Sequence, residues 1–249
     1  MKTKLLIFIL LLSFNSYSLP LLSRSNFAIT ASKRMDSSID SNSPLTIVYD
    51  IQVKTSKHKT GIEETYNGGI KVIFIQNDMA RVRMVSLMRI QSLFFSCSVN
   101  SNQPVSIVKE SGKNKYKYNL TNEQWNSFNT KYEKDSCVFT NDSAVILNYL
   151  CRKAIVILKD GRSLTVYYAP QLKPIDSKIE PAFNGIPGLV LQYEYDYKKG
   201  TVIYTASKIS QASIAGSIFK IPNKGYRLKK YCPACTPKES NISEDSGLE

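Results

Sequence analysis

The pattern most readily assigned a reaction in this sequence is Cys232-Pro233-Ala234-Cys235. Two residues between cysteines let the thiols close a disulfide, and nearby lysines with Arg227 would favour the thiolate. On that reading the pair is a thiol–disulfide oxidoreductase centre. Such a centre ordinarily sits at a helix start, where the helix dipole lowers the thiol pKa. Here Pro237 and a polar run follow, which make poor helix. A small structural disulfide in an oxidising compartment accounts for the same spacing. One Cys-x-x-Cys without a second pair is weak as a zinc site. Cys97, Cys137 and Cys151 complete an odd set of five. Cys137 and Cys151 fall on segments expected to pair as neighbouring strands, so they form the preferred second bridge, with connectivity left open.

Other groups carry less chemistry. Glu194 and Asp196 stand on one face of an apparent strand with Gln192. Residues i and i+2 lie about 7 Å apart along a strand, a spacing compatible with the paired carboxylates of glycoside hydrolysis. The other face carries Leu189, Leu191, Tyr193, Tyr195 and Tyr197, so a solvated face and a packed aromatic face explain both rows. The single His, His58, stands in Lys57-His58-Lys59 and reads as an exposed turn. One histidine removes mechanisms that need two, and Ser–His–Asp arrangements unless His58 serves. No catalytic residue, metal ligand or cofactor is assigned.

The elements that must position these residues begin with an address. Lys2 and Lys4, the apolar run Leu5–Leu12 and Ser16-Tyr17-Ser18 form the three parts of a signal peptide over residues 1–18. The run is far short of the roughly 20 residues that span a bilayer, and no later run approaches that length. The mature chain is thus expected to be exported, periplasmic or extracellular, without a transmembrane segment. At 249 residues, 43% hydrophobic and 21% charged, it can build a real core. The net charge of +13 is unevenly spread. Lys220, Lys224, Arg227, Lys229 and Lys230 cluster without an acid among them, Arg81, Arg83 and Arg89 form a second group, and residues 236–249 are an acidic tail without apolar period. Nucleic acid is an unsuitable partner for an exported protein; an anionic envelope component suits the charge better, and a solvated basic face accounts for it too.

Residues 19–43 read as a flexible lead-in, and residues 44–235 as one β-rich domain. Leu45, Ile47, Tyr49, Ile51 and Val53 alternate with polar residues, a strand signal. Ile70, Val72 and Phe74 lead a second strand after the turn Asn67-Gly68-Gly69. Val82, Met84, Met88 and Ile90 alternate with arginines in a third. Further strands are read at 92–99, 105–109, 115–120, 144–151 and 153–158. Asp160-Gly161 joins the last of these to 163–168 as a hairpin, and Lys198-Lys199-Gly200 joins 188–197 to 201–208. One helix is expected where Thr121 can cap and Trp125 and Phe128 lie three apart. Meander order without βαβ alternation predicts a mainly β fold. The expected architecture is a single large antiparallel sheet, curled or a half-open barrel of lipoprotein-carrier-like shape, with one or two short helices. Its concave side would be an apolar cavity.

The most specific segment is Asn184-Gly185-Ile186-Pro187-Gly188-Leu189-Val190-Leu191. Pro187 and Gly188 suit the two central positions of a type II turn, where the second needs positive φ. Gly185, Ile186, Pro187, Gly188, Leu189 and Val190 resemble the signature of the GLPGLI family, exported proteins of Bacteroidetes-type bacteria. Ile146–Ala154, Gly161-Arg162 and Val166-Tyr167-Tyr168-Ala169-Pro170 resemble the family's surrounding strands, with Tyr167 and Ala169 where a Trp and a Thr are usual. Ile179-Glu180-Pro181 stands where the family has Gly-Pro. The resemblance covers roughly residues 130–210 and implies an exported β-rich protein. It carries over no catalytic residue, and the matching positions Tyr168, Pro170, Gly185, Pro187 and Gly188 read as turn and packing chemistry. The expected function is non-enzymatic: binding of an apolar or lipid-like ligand or an envelope partner. The alternatives are an oxidoreductase at Cys232 and Cys235, or a purely structural or surface-interaction protein.

Overall fold

A computed structural model describes residues 43–55, 66–87, 89–96, 105–197 and 200–230. The expected signal peptide, the expected lead-in up to residue 42, His58, Cys97, Cys232, Cys235 and the acidic residues 236–249 lie outside the described residues. Those described belong to one compact unit, Ser37–Glu249.

The alternating first run forms β1 (Leu45–Thr55). It is followed by β2 (Ile70–Gln76), β3 (Met79–Val85), β4 (Arg89–Ser96), β5 (Val105–Ser111) and β6 (Asn114–Leu120). A helix, α1 (Asn122–Asn129), separates these from β7 (Lys134–Ile146), β8 (Tyr149–Leu158), β9 (Ser163–Ala169), β10 (Leu189–Tyr197) and β11 (Gly200–Ser210). A short β12 (Arg227–Leu228) comes last. All join one 12-stranded sheet in the order β12-β6-β5-β4-β3-β2-β1-β11-β10-β9-β8-β7. Neighbours are antiparallel except β12, which pairs parallel with β6. β1 bonds to β2 on one side and β11 on the other, so the first strand is the seam between two meanders. The fold is therefore mainly β, with one large open antiparallel sheet and, among the described residues, one complete α-helix.

Turn chemistry sets much of this layout. Asp160-Gly161 makes the β8–β9 hairpin, with Gly161 at φ 84°. The Thr121 side chain accepts from the Gln124 backbone N–H, and the Gln124 side chain returns the contact at Thr121 N–H, a full capping box at the start of α1. Residues 144–151, expected as one strand, contain a hairpin instead. Leu147 and Asn148 both have positive φ, 49° and 66°, as the two-residue turn joining antiparallel strands requires. An apolar Leu at the first of these positions hides the turn from pattern reading. The third expected strand is likewise two, β3 and β4, with Ser86 N–H donating to Arg89 O between them at 2.9 Å.

Across the sheet the concave face is built in rows. One runs Ile51, Tyr204, Tyr193, Val166, Ala154 and Phe139, and the next Val53, Val202, Tyr195, Leu164, Val156 and Cys137. On the other meander a row runs Ile47, Ile73, Val82, Leu93, Ile107 and Tyr118. Residues of both meanders enter one apolar core, in which Ile47, Tyr49, Ile51, Leu120 and Val166 are essentially inaccessible. Ile70, Val72 and Phe74, which lead β2 in the sequence, do not face the core. Lys71 and Ile73 point into the core, while Ile70 is exposed. Ile70, Val72 and Phe74 lie on the convex side, where residues 211–228 cross the sheet, Ile214 N–H donating to Gln76 and Arg81 donating to Ile218 O, and Val72 is buried. A strand covered on both faces loses the alternation that would fix its register.

The sheet ends at β12 and β7, so the barrel is half-open. Its curl brings α1, which follows β6, to the loop that follows β9: the Trp125 indole N–H donates to the Lys178 carbonyl at 3.1 Å. Helix and loop together cover the concave face.

Candidate functional site

The covering loop, residues 170–188, leaves β9 and returns to β10 at adjacent points, because Ala169 and Leu189 are paired. Gly188 closes this neck. A Cβ there would lie 2.7 Å from the Ala169 carbonyl carbon and 2.9 Å from the Pro170 Cα, closer than packed atoms allow. The Leu189 N–H donates to Leu172 O at 3.1 Å and draws the first loop residues against the last. Gly188 is thus a close-approach glycine, and the type II turn expected at Pro187-Gly188 lies elsewhere. It is formed by Phe183-Asn184-Gly185-Ile186: Asn184 has φ −55° and ψ 126°, Gly185 has φ 75°, and Ile186 N–H donates to Phe183 O at 3.0 Å. Pro187 is the centre of a tighter turn in which Gly188 N–H reaches Ile186 O at 2.9 Å. Ile186, between the two turns, is driven into the core at 2% exposure.

The remaining signature positions sit beside this neck. Leu189 is fully buried, and Tyr168 pairs with Val190. A register shift between Val190 and Gln192 turns the Val190 carbonyl out of the ladder, and the buried Tyr49 hydroxyl donates to it at 2.8 Å. Tyr168, Pro170 and the stretch 185–190 therefore form one feature, the neck of a covering loop. Its apolar side chains, Leu172, Ile175, Ile179, Phe183 and Ile186, pack on the core of the sheet. A loop of this length without a strand or α-helix of its own is ordinarily functional in a compact domain.

One charged pair interrupts the apolar face. Lys71 projects from β2 with 6% exposure, and its Nζ lies 2.6 Å from Glu180 Oε1, which hangs from the covering loop. The ammonium also donates to the Tyr193 hydroxyl at 3.1 Å. It lies 5.2–5.9 Å from the ring centres of Tyr49, Tyr193 and Tyr204, within cation–π range. The Tyr193 and Tyr204 rings stack at 4.4 Å, and Phe183 of the loop meets Tyr193 edge-on at 5.1 Å. Burial pushes the Tyr49, Tyr193 and Tyr204 hydroxyls well up, so all three stay protonated at neutral pH. The Glu180 carboxylate adds to this at Tyr193, whereas the Lys71 ammonium partly opposes it at Tyr49.

Sequence reading left Lys71 and Glu180 out. Their one local signal was Ile179-Glu180-Pro181, an acid beside apolar residues where the resembled family has Gly-Pro. Glu194 and Asp196 are not brought to any site: Asp196 accepts from Thr201 Oγ1 at 2.7 Å, and Glu194 lies partly exposed on the polar face. The expected Cys137–Cys151 bridge is not formed. Both are free thiols. Cys137 pairs with Val156 and Cys151 with Ala144, which separates them along β8 by five residues, or about 17 Å, too far for a disulfide. Burial raises both thiols, with Lys134 pulling Cys137 partly back, so neither is activated.

The two basic groups are divided: Arg81 and Arg83 lie on the convex side, Arg89 shares the face of Leu93, and Lys229 follows the edge strand β12. Arg81 donates to Ile218 O at 3.0 Å and stacks on Phe94 at 4.7 Å, while Lys229 stands over the Tyr116 ring at 4.0 Å. Among the described residues, no group of three or more His, Cys, Asp or Glu converges as a metal site. Nor is any described helix long and apolar enough to cross a membrane.

No family model matches the chain, and no curated protein matches it. Among solved structures it is similar to PNGF-II, at 14% identity and TM-score 0.43, over 76% of this chain and 31% of that one. The chain thus spans about a third of the length of PNGF-II. It is similar to an uncharacterised conserved protein from Thermus thermophilus at 6% identity and TM-score 0.43, over 76% of this chain and 91% of that one. It is also similar to a LolA superfamily protein from Nitrosomonas europaea at 8% identity and TM-score 0.35, over 73% and 92%. No residue role or activity is carried over from these proteins.

Proposed function

We propose that this is an exported, non-enzymatic protein of GLPGLI type that holds an apolar or lipid-like ligand against the concave face of its sheet. The observation that carries the reading is the nature of the cover. The apolar face is continuous across both meanders, yet over the β10 side its cover is a loop closed at one neck and not a second sheet. Apolar side chains of the loop fill the space above Tyr49, Tyr193 and Tyr204. A bound chain takes the place of Ile175, Ile179 and Phe183, so the area it buries is area the sheet already offers. The neck stays fixed in this exchange, because Gly188 packs against the Ala169–Pro170 backbone.

Gentle purification of the full chain from the envelope of its own cells, followed by native mass spectrometry and solvent extraction, tests this. A reproducible co-purifying apolar compound is expected. In parallel, the stripped protein should take up a long-chain fluorescent fatty acid probe, with uptake reduced when the loop is tied to the sheet by an engineered disulfide. Protein that emerges free of ligand and takes up no probe would end the reading.

A further inference from the structure

We propose that Lys71 is the headgroup site of the ligand, that the ligand is an apolar chain ending in a carboxylate, and that Glu180 occupies this site when the loop is closed. The inference rests on the apolar-ligand reading above and adds the chemical class of the ligand.

Lys71 is the charged side chain buried on the concave face among the described residues, and everything around it on the sheet is aromatic or aliphatic. A buried ammonium without a counterion is strongly disfavoured, so the site requires an anion whenever it is covered. That anion comes from the loop and not from the sheet. The rigid half of the site is therefore a cation in a tyrosine cage, and the half that can leave carries the carboxylate. Glu180 Oε1 at 2.6 Å from Nζ marks where a carboxylate oxygen fits. Tyr193, which accepts from Lys71 at 3.1 Å, keeps its own proton to donate to a bound anion. A single ammonium with a phenol suits a monoanion of two oxygens, while phosphate sites typically recruit arginine forks or several backbone donors. The rings of Tyr49, Tyr193 and Tyr204 then lead from the charge onto the apolar rows, Tyr204 and Tyr193 being continuous with Val166 and Ala154. A long-chain carboxylic acid has this order of groups: one charged end, then hydrocarbon.

When the acid binds, its carboxylate replaces that of Glu180 on Lys71, and Glu180 passes to water with the opened loop. No charge is left unpaired in either state. The closed loop is thus a competitive internal ligand, and weakening its grip raises affinity for the external one.

The test is a binding titration with the full-length mature chain, using a fluorescent polyene fatty acid and its methyl ester. The unmodified protein should prefer the acid. Glu180→Gln removes the internal competitor and keeps its shape, so acid affinity should rise by roughly fivefold or more, with little change for the ester. Lys71→Met should erase the preference, whereas Lys71→Arg should retain much of it. Circular dichroism and thermal melting accompany each variant, and Lys71→Met/Glu180→Leu, which leaves no unpaired charge, serves if the single Lys71 variant does not fold. Equal binding of acid and ester by the unmodified protein and by Glu180→Gln overturns the headgroup site while the apolar-ligand reading stands. Tighter binding of an alkyl phosphate than of the acid overturns the carboxylate assignment. Binding of none of these probes overturns both.

Discussion

Two segments cross the sheet without joining its ladders along most of their length, one on each face. The covering loop, 170–188, lies on the concave face and inserts Leu172, Ile179 and Ile186, each under 10% exposed, into the core. The C-terminal run, 211–228, lies on the convex face and is attached chiefly through polar contacts. Gln76 accepts from Ile214 N–H, Arg81 donates to Ile218 O, Tyr226 donates to Glu110, and β12 adds to the sheet edge. Ile214 is its one buried apolar side chain. The difference follows from what lies beneath each. The concave face offers continuous hydrocarbon, and a covering segment gains stability by filling it. The convex face sets Arg81, Arg83, Ser92 and Ser106 among apolar residues such as Val72 and Phe94, and a covering segment there must also supply acceptors. The Nε atoms of Arg81 and Arg83 find none and remain buried without a partner. Cover by hydrocarbon is strong but exchangeable for other hydrocarbon; cover by hydrogen bonds is specific and weak.

If the neck of the concave loop is as tight as its geometry indicates, Gly188→Val is the most damaging substitution on either segment. Its side chain must push apart the Gly188 and Ala169–Pro170 backbones, which no rotamer relieves. A loss of more than about 3 kcal/mol is expected in urea unfolding. Gly216 on the convex segment has nothing within 4 Å of a built Cβ, so Gly216→Ala should leave the unfolding midpoint nearly unchanged. Equal effects of the two would remove the distinction between neck and crossing.

Next in size is the hydrocarbon itself. Ile186→Ala empties a fully enclosed position and should cost about 2–5 kcal/mol. Ile214→Ala, at the margin of the convex cover, should cost about 2 kcal/mol or less. The comparison sharpens if Ile186→Ala also speeds proteolysis within 170–188, because the loop would then open before the sheet unfolds.

How much of this was legible in sequence depends on the range of the interaction. Local chemistry was readable: Thr121 with Gln124 as a cap, Asp160-Gly161 as a hairpin, the alternation of β1. The signature 185–190 is also visible, but its type II turn lies three residues before the expected Pro187-Gly188. Asn-Gly and Pro-Gly both suit type II geometry, and only the packing of Gly188 on Ala169 decides between them. Long-range features were not readable. Lys71 and Glu180 are distant in sequence, and a lysine in an apolar strand ordinarily marks the solvent face. The Cys137–Cys151 pairing failed for a related reason: Leu147-Asn148 hides the hairpin that fixes the register of β7 on β8.

The buried tyrosines give the concave face a stronger pH signature than the convex face, where burial and the bond to Glu110 also raise Tyr226. Tyr49, Tyr193 and Tyr204 ionise near the ordinary value of 10.0 when unfolded, and well above it when folded. Above pH 10 the unfolded chain therefore holds fewer protons than the folded one, and stability falls as pH rises. That contribution is complete below pH 10 and is lost through the alkaline range. Replacing Tyr49 by Phe should flatten the decline. It also leaves the Val190 carbonyl without its donor, at a cost of roughly 1–3 kcal/mol at neutral pH. A steeper alkaline decline in Tyr49→Phe would contradict the assignment.

The smallest expected effect tests the weaker cover. Tyr226 donates to Glu110 Oε1 at 2.7 Å, and Lys115 stands 3.6 Å from the same carboxylate at Oε2. Removing the hydroxyl in Tyr226→Phe leaves Glu110 with Lys115 and with water, so no buried charge is stranded, and global stability should change by less than about 1 kcal/mol. The local consequence should be larger than the global one. Beyond Tyr226 the chain is held by the two paired residues of β12 and by the Lys229 N–H on Lys117 O at 2.8 Å. Amide exchange at Lys229 should therefore quicken by several-fold in Tyr226→Phe, while amides of β1 and β11 keep their full protection. Exchange that quickened equally at Lys229 and in β1 would mean that the convex run opens only with the whole sheet. It would then be as integral to the fold as the concave loop.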